Sequence, residues 1–116
     1  MIRKSLTSKQ KQFLRAMGTE LVPVVNIGKE GVTPTVVESA KDAITKRELI
    51  KVRVLQNSPE EPKDAIKRLT ERVDADLVQI IGRNGLLFKR NFKKPQIEFP
   101  EYIGQRGDAA WILGTD

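Results

Sequence analysis

Hydrophobic and polar positions along the chain follow two periods, and the places where one gives way to the other mark seven elements. Leu6, Phe13, Leu14 and Met17 form the apolar side of a first helix. Thr7 stands at its N-cap with Gln10 three residues on, the spacing of a capping box, and Gly18 is the expected stop. Leu21–Ile27 reads as a strand, with Pro23 near its beginning, where proline is tolerated. Val36, Val37, Ala40, Ala43 and Ile44 recur at helical spacing and predict a helix from Pro34 to about Lys46. In Leu49–Leu55, Ile50, Val52 and Val54 alternate with Lys51 and Arg53, so this strand has one buried face and one basic face. That basic face is either solvated or placed to touch an anionic partner. Ser58-Pro59-Glu60-Glu61 predicts the start of a third helix, which continues through Ala65, Ile66, Leu69 and Val73. Glu60 and Glu61 suit a first turn because of the helix dipole and do not read as an acid/base pair. Asp74 and Asp76 flank a turn. Leu77–Ile81 and Leu86–Phe88 are the last two strands, and Asn84-Gly85 between them is a hairpin signal, both residues accepting positive φ.

The order helix, strand, helix, strand, helix, strand, strand contains two strand–helix–strand connections. These make the first three strands parallel neighbours or near-neighbours, and the last two form an antiparallel hairpin. The expected fold is an α/β (α+β) two-layer sandwich with a mixed four-stranded sheet. Residues 1–100 form one domain, with Ile97, Phe99 and Pro100 placed to dock on its core. Residues 101–116 form a tail broken by Gly104, Gly107 and Gly114. Its Trp111 either packs back on the domain or marks a partner contact.

Composition removes several classes of chemistry. The 116 residues include no cysteine and no histidine, which excludes a disulfide framework, thiolate metal sites, the commonest general base and the usual catalytic triads. A zinc-based nucleic-acid binder lacks its ligands here, and the scattered acids form no catalytic cluster. The reading is therefore a non-enzyme without cofactor, metal or small-molecule substrate. No apolar run approaches the ~20 residues of a membrane span, and Met1-Ile2-Arg3-Lys4-Ser5 lacks the apolar stretch of a signal peptide. A cytoplasmic location is expected.

Charge points to a polyanionic partner. The net charge is +6 and the isoelectric point about 9.8. Residues 1–32 carry six basic and two acidic side chains, and residues 77–96 carry five basic and no acidic ones. Residues 33–76 are balanced, and residues 97–116 are net negative. If the fold brings the two basic blocks to one side they form a single stripe; otherwise the charge serves solubility. Lys89, Arg90, Lys93 and Lys94, interleaved with Phe92, suit backbone contact plus base stacking, or simply a basic strand end at the surface.

One loop carries the sharper chemistry. The apolar run Val24-Val25-Asn26-Ile27 ends in Gly28-Lys29-Glu30-Gly31, and Thr33 and Pro34 then supply a helix cap and first residue. Backbone amides at such a junction point outward, the helix dipole adds partial positive charge, and Lys29 adds a full one. Such a G-x-x-G is either an ordinary strand-to-helix turn or a phosphate seat. The basic balance of the chain favours the second reading, and the Glu30 carboxylate opposes it. Gly82-Arg83-Asn84-Gly85 repeats the spacing, but turn formation accounts for its glycines, leaving Arg83 at the tip.

The stretches LTSKQKQFLRAM, VPVVNIGKEGVTPTVV, RELIKVRV and VQIIGRNGLLFKRN, across roughly residues 6–91, resemble the CRM-domain family (chloroplast RNA splicing and ribosome maturation) in its stand-alone bacterial, YhbY-type form. The resemblance implies a fold similar to the C-terminal domain of bacterial translation initiation factor three. It also implies RNA binding and association with precursors of the large ribosomal subunit. The family's loop is likened to the KH-domain clamp on a nucleic-acid backbone and maps onto Gly28, Lys29, Glu30 and Gly31. Gly82 fits the family pattern; Gly85 departs from it and reads as a turn residue. An RRM is disfavoured by strand order and by the missing stacking aromatics. The expected RNA contacts are that loop with Thr33, then Lys9, Lys11 and Arg15, then Lys46, Arg47 and Lys51, and finally Arg83, Lys89, Arg90, Lys93 and Lys94. One alternative is a protein-interaction module that docks on a ribosomal protein through an apolar surface or the tail; another is an enzyme acting on RNA or a nucleotide, which would need a base and a carboxylate-bound metal.

Overall fold

The elements follow in the expected order. The computed structural model describes residues 6–100, so the expectations for Tyr102, Trp111 and the 101–116 tail lie outside the described residues. They are α1 (Ser8–Gly18), β1 (Pro23–Ile27), α2 (Pro34–Arg47), β2 (Leu49–Val54), α3 (Pro62–Val73), β3 (Asp76–Ile81) and β4 (Asn84–Phe88). The sheet order is β1-β2-β4-β3. β1 and β2 are parallel, and β4 is antiparallel to both β2 and β3, so β3 runs in the direction of β1 and β2. The hairpin strand β4 thus inserts between the two parallel strands β2 and β3.

Strand alternation divides the core in two. Val25, Ile27, Ile50, Val52, Val54 and Leu87 face α2 and α3, meeting Ala40, Ile44, Ile66 and Leu69. Leu49, Leu86 and Phe88, with Val78, face the other way and meet Leu14 of α1 and Ile97 and Phe99 of the C-terminal segment. The α2/α3 layer on the sheet is the expected sandwich. α1 joins neither helix; it lies across the opposite sheet face. The capping box at its start is formed: Gln10 N donates to Thr7 Oγ1 at 3.1 Å and Thr7 N to Gln10 Oε1 at 2.9 Å.

A buried ion pair ties the C-terminal segment down. Glu48, fully buried, follows α2 with φ +67°. Its carboxylate accepts from Arg90 Nη1 at 3.2 Å and from the backbone amides of Asn91, Gln96 and Ile97 at 2.6, 2.7 and 2.8 Å. The Arg90 guanidinium also donates to Ile97 O at 2.9 Å and lies 5.6 and 5.4 Å from the ring centres of Phe88 and Phe99. Phe99 in turn packs at 5.6 Å against Phe13. A carboxylate bearing this many donors is compensated for its lost hydration.

Two local expectations are corrected. α3 begins at Pro62, not at the Ser58-Pro59 pair, and Glu61 is its N-cap. A helix starting at Pro59 would require residue 62 to donate the first intrahelical bond, and proline has no N–H. Pro62 also holds Glu61 extended, at φ −60°, ψ 145°. The β3–β4 turn is Gly82-Arg83, not Asn84-Gly85. Gly82 alone of these four has positive φ (+57°), and Asn84 pairs with Ile81 inside the ladder. Positive φ at the first central position only has the signs of a type II′ turn, whose twist suits a hairpin. Gly85 serves packing instead: a Cβ there would sit 2.6 Å from Ile66 Cγ2, so α3 can lie this close to β4 only over a glycine.

Glu48→Ala is expected to destabilise the domain by about 3–5 kcal/mol in chemical denaturation, because it strands the Arg90 charge in the core. Gly85→Ala is expected to cost about 1–3 kcal/mol through overpacking against Ile66.

Candidate nucleic-acid interface

Because β1, β2 and β3 run the same way, their carboxyl ends share one edge of the sheet, and three loops meet there. They are residues 28–33, residues 55–61 and the Gly82-Arg83 turn. Ligands gather outside the carboxyl ends of parallel strands because helix N-termini and loop amides converge there. Hydrogen bonds pin the edge together. Leu55 N donates to Ile27 O at 2.9 Å, Val54 N donates to Arg83 O at 2.8 Å, and Arg83 Nη1 donates to Leu55 O at 3.2 Å.

The G-x-x-G loop is built as a turn with amides to spare. Gly31 N donates to Gly28 O at 3.0 Å and Thr33 N to Gly31 O at 3.1 Å, so these two amides are used internally. Among the described residues no acceptor meets the amides of Lys29, Glu30 and Val32. The two glycines have different reasons. Gly31 adopts φ +77°, a conformation that strains L side chains. Gly28 needs neither conformational freedom nor space, since an added Cβ would lie 3.7 Å from Leu55 Cδ1, an ordinary contact. What the missing side chain leaves open is the backbone itself. Thr33 caps α2, its Oγ1 accepting from Val36 N at 3.1 Å, and its hydroxyl hydrogen remains available to a ligand. Lys29 and Glu30 are both exposed.

The remaining predicted contacts divide by location. Arg83 belongs to the same edge, half committed to the β2 carbonyls. Arg15 and Lys51 lie on the α1 side of the sheet and line one shallow cleft there. Lys9 and Lys11 stand in the first turn of α1, where α1 carries no acidic residue. Lys46 and Arg47 are in the last turn of α2, at the opposite end of that helix from the loop. At 14 residues α2 separates the two by about 21 Å. Lys93 and Lys94 accompany the far pair: their amides donate to Asn91 Oδ1 at 3.1 Å, and Asn91 Nδ2 donates to Thr45 O at 3.0 Å. Lys89 Nζ donates to Val73 O at 3.0 Å and so caps α3. The two basic blocks of the sequence therefore do not coincide with two surfaces, because the second is divided between opposite edges of the sheet.

Arg90 is corrected from a surface contact to a core residue: its side chain is 3% exposed and held by Glu48. The counter-charge that takes it inward lies 42 positions earlier, beyond the reach of local pattern. Phe92, for which base stacking and a plain surface position were both open, packs in part against the second core cluster. Sequence reasoning gave no site role to Leu55 and Asn57, whose side chains stand nearest to Gly28; Leu55 read only as a strand end, and Asn57 lies in an irregular segment without a periodic signal.

The described residues contain no helix long and apolar enough to cross a membrane and no group of three acidic, histidine or cysteine side chains arranged to hold a metal. A family profile described as the CRS1 / YhbY (CRM) domain matches residues 6–89. YqeI of Bacillus subtilis (strain 168), named a probable RNA-binding protein, is 41% identical over 95 residues, covering 82% of this chain and 99% of its own. MJ0652 of Methanocaldococcus jannaschii, named likewise, is 34% identical over 106 residues, covering 90% of this chain and 75% of its own. The solution structure of SAV1595 from Staphylococcus aureus, described as a candidate RNA-binding protein, superposes with a TM-score of 0.69 at 36% identity, covering 82% of this chain and 99% of that one. A shared profile over most of the domain, relatives matched along most of their length and a matching fold lead to one conclusion: the chain belongs to the CRS1/YhbY (CRM) domain family.

Proposed function

We propose that this protein binds RNA without catalysing a reaction on it, seats a backbone phosphate on the Gly28–Gly31 loop, and acts on ribosomal RNA of the large-subunit precursor during ribosome assembly. The observation that carries the phosphate seat is the set of amides of Lys29, Glu30 and Val32, unengaged among the described residues, beside the N-terminus of α2, with the Lys29 ammonium in the same loop. Amide donors and a helix dipole together favour an anion. Arg83 extends the positive edge. The names of the relatives support RNA as the polyanion, and the resemblance to YhbY-type proteins supports the ribosomal precursor as its source. Lys46, Arg47, Lys93 and Lys94 lie too far from the loop to share its phosphate and contribute a second point of contact along the same polymer. Binding of this kind is dominated by counterion release and carries little sequence information through the phosphates.

The test is titration of large-subunit ribosomal RNA with wild type and variants at several salt concentrations. Lys29→Glu is expected to weaken binding roughly tenfold near physiological salt and to reduce the slope of log affinity against log salt by about 0.7–0.9 for each phosphate that the variant leaves unneutralised. Binding equal to wild type would show the loop to be scaffolding. Glu30→Gln is expected to raise affinity several-fold by removing the one carboxylate in the seat. Gly28→Ala is expected to weaken binding while changing stability by less than about 0.5 kcal/mol, a separation visible by comparing RNA titration with denaturation.

A further inference from the structure

Among the described residues, α1 leaves part of its sheet face uncovered, and what lies there is unlike a merely solvated surface. The helix ends at Gly18, which rests on Leu86 of β4. One rung further along the strands, the side chains on the α1 side are Asn26 of β1, Arg53 of β2, Asn84 of β4 and Ile81 of β3. The ladder places them in adjacent register: Asn26 opposite Arg53, Arg53 opposite Asn84, and Asn84 opposite Ile81. At about 4.8 Å between strands, the row spans roughly 14 Å. Asn26 and Arg53 are exposed, and Ile81 is 62% exposed. The rung below adds Lys51 and Gln79, which with Arg15, Thr19 and Asn84 line a cleft of about 140 Å³.

Three features point to recognition. First, this face carries three side-chain amides: Asn26 and Asn84 in the row and Gln79 on the rung below each combine a donor and an acceptor, which phosphate does not need but a base edge does. Second, a β-bulge places Gln79 there. Leu77 pairs with Leu87 and Gln79 with Leu86, so Val78 is the extra residue, and Gln79 comes to the bare face while Val78 stays in the core. Third, Asn84 Oδ1 is buried with no hydrogen-bond partner among the described residues, an unmet acceptor on the wall of the cleft.

We infer that this bare sheet face reads the base edges of single-stranded RNA, with Asn26, Arg53 and Asn84 as its specificity-determining residues. The inference rests on the phosphate seat proposed above, since Asn26 on β1 is two residues before Gly28, where the loop begins, and a nucleotide held by the loop delivers its neighbour onto the row. Asparagine matches the N6/N7 edge of adenine and arginine the O6/N7 edge of guanine, so purines are the expected choice. The row carries no aromatic side chain, and discrimination therefore comes from edges instead of stacking. A base-paired RNA hides these edges in its narrow major groove, which selects single strands.

The test is fluorescence anisotropy with labelled oligoribonucleotides of equal length, comparing purine-rich, pyrimidine-rich and duplex forms across a salt series. Wild type is expected to prefer the purine-rich single strand by about fivefold to a hundredfold. Arg53→Lys keeps the charge and removes the two-pronged donor, so it is expected to lose guanine preference with an unchanged salt slope. Asn26→Leu/Arg53→Lys is expected to bring all single strands to within about twofold of one another; both positions are exposed, and circular dichroism reports folding. Lys29→Glu is expected to weaken all sequences equally and keep the preference. A wild type without base preference, or a preference untouched by the double variant, overturns the inference while leaving the phosphate seat intact. If Lys29→Glu binds as wild type while the double variant still abolishes the preference, the loop reading fails and the sheet face stands.

Discussion

Much of the architecture depends on one buried carboxylate. Glu48 ends α2 with positive φ, a conformation that few residues other than glycine adopt without cost. That turn aims its side chain into the protein, where Arg90 and the amides of residues 91, 96 and 97 converge on it. These hydrogen bonds hold the segment after β4 folded back along the sheet, bringing Ile97 and Phe99 under α1. Without them the face of the sheet carrying Leu49, Leu86 and Phe88 would be covered by α1 alone. The burial of Arg90 between two phenylalanine rings removes one cation from the surface and uses it to close the second core.

This arrangement separates two uses of positive charge. At the carboxyl edge of the parallel strands, charge is sparse and backbone donors are prominent: Lys29, Arg83, the loop amides and the α2 dipole. At the other edge lysine and arginine are dense, but several also have structural partners. Lys46 and Arg47 complement the negative end of α2, and Lys89 closes α3. An edge rich in oriented amides suits a fixed anion, whereas an edge of long, flexible side chains suits diffuse attraction to a polymer.

Local pattern carried far in this chain. The helical and strand periods, the capping box at Thr7 and the Thr33-Pro34 start of α2 all lie within a few residues of the features they define, so they were legible in the sequence. The loop Gly28–Gly31 was legible for the same reason, as was its place between a strand and a helix. The constraint that Pro62 imposes on the start of α3 is also local, but the stronger-looking Ser58-Pro59 pair masks it. The role of Gly85 was not legible, because a turn signal and a packing requirement use the same residue.

By itself, then, the order of residues determined which segments are helices and strands, which of their faces are apolar, and where the glycine-bordered loop between β1 and α2 falls, because each follows from bonding and packing between near neighbours in the chain. Tertiary structure alone decided that Arg90 goes inward to Glu48, that the second basic block is divided between two edges, and that Asn26, Arg53 and Asn84 line up on one face of the sheet. Those outcomes depend on strand order and register. These are set by how the whole hydrophobic surface is best buried, and no short window of sequence contains that information.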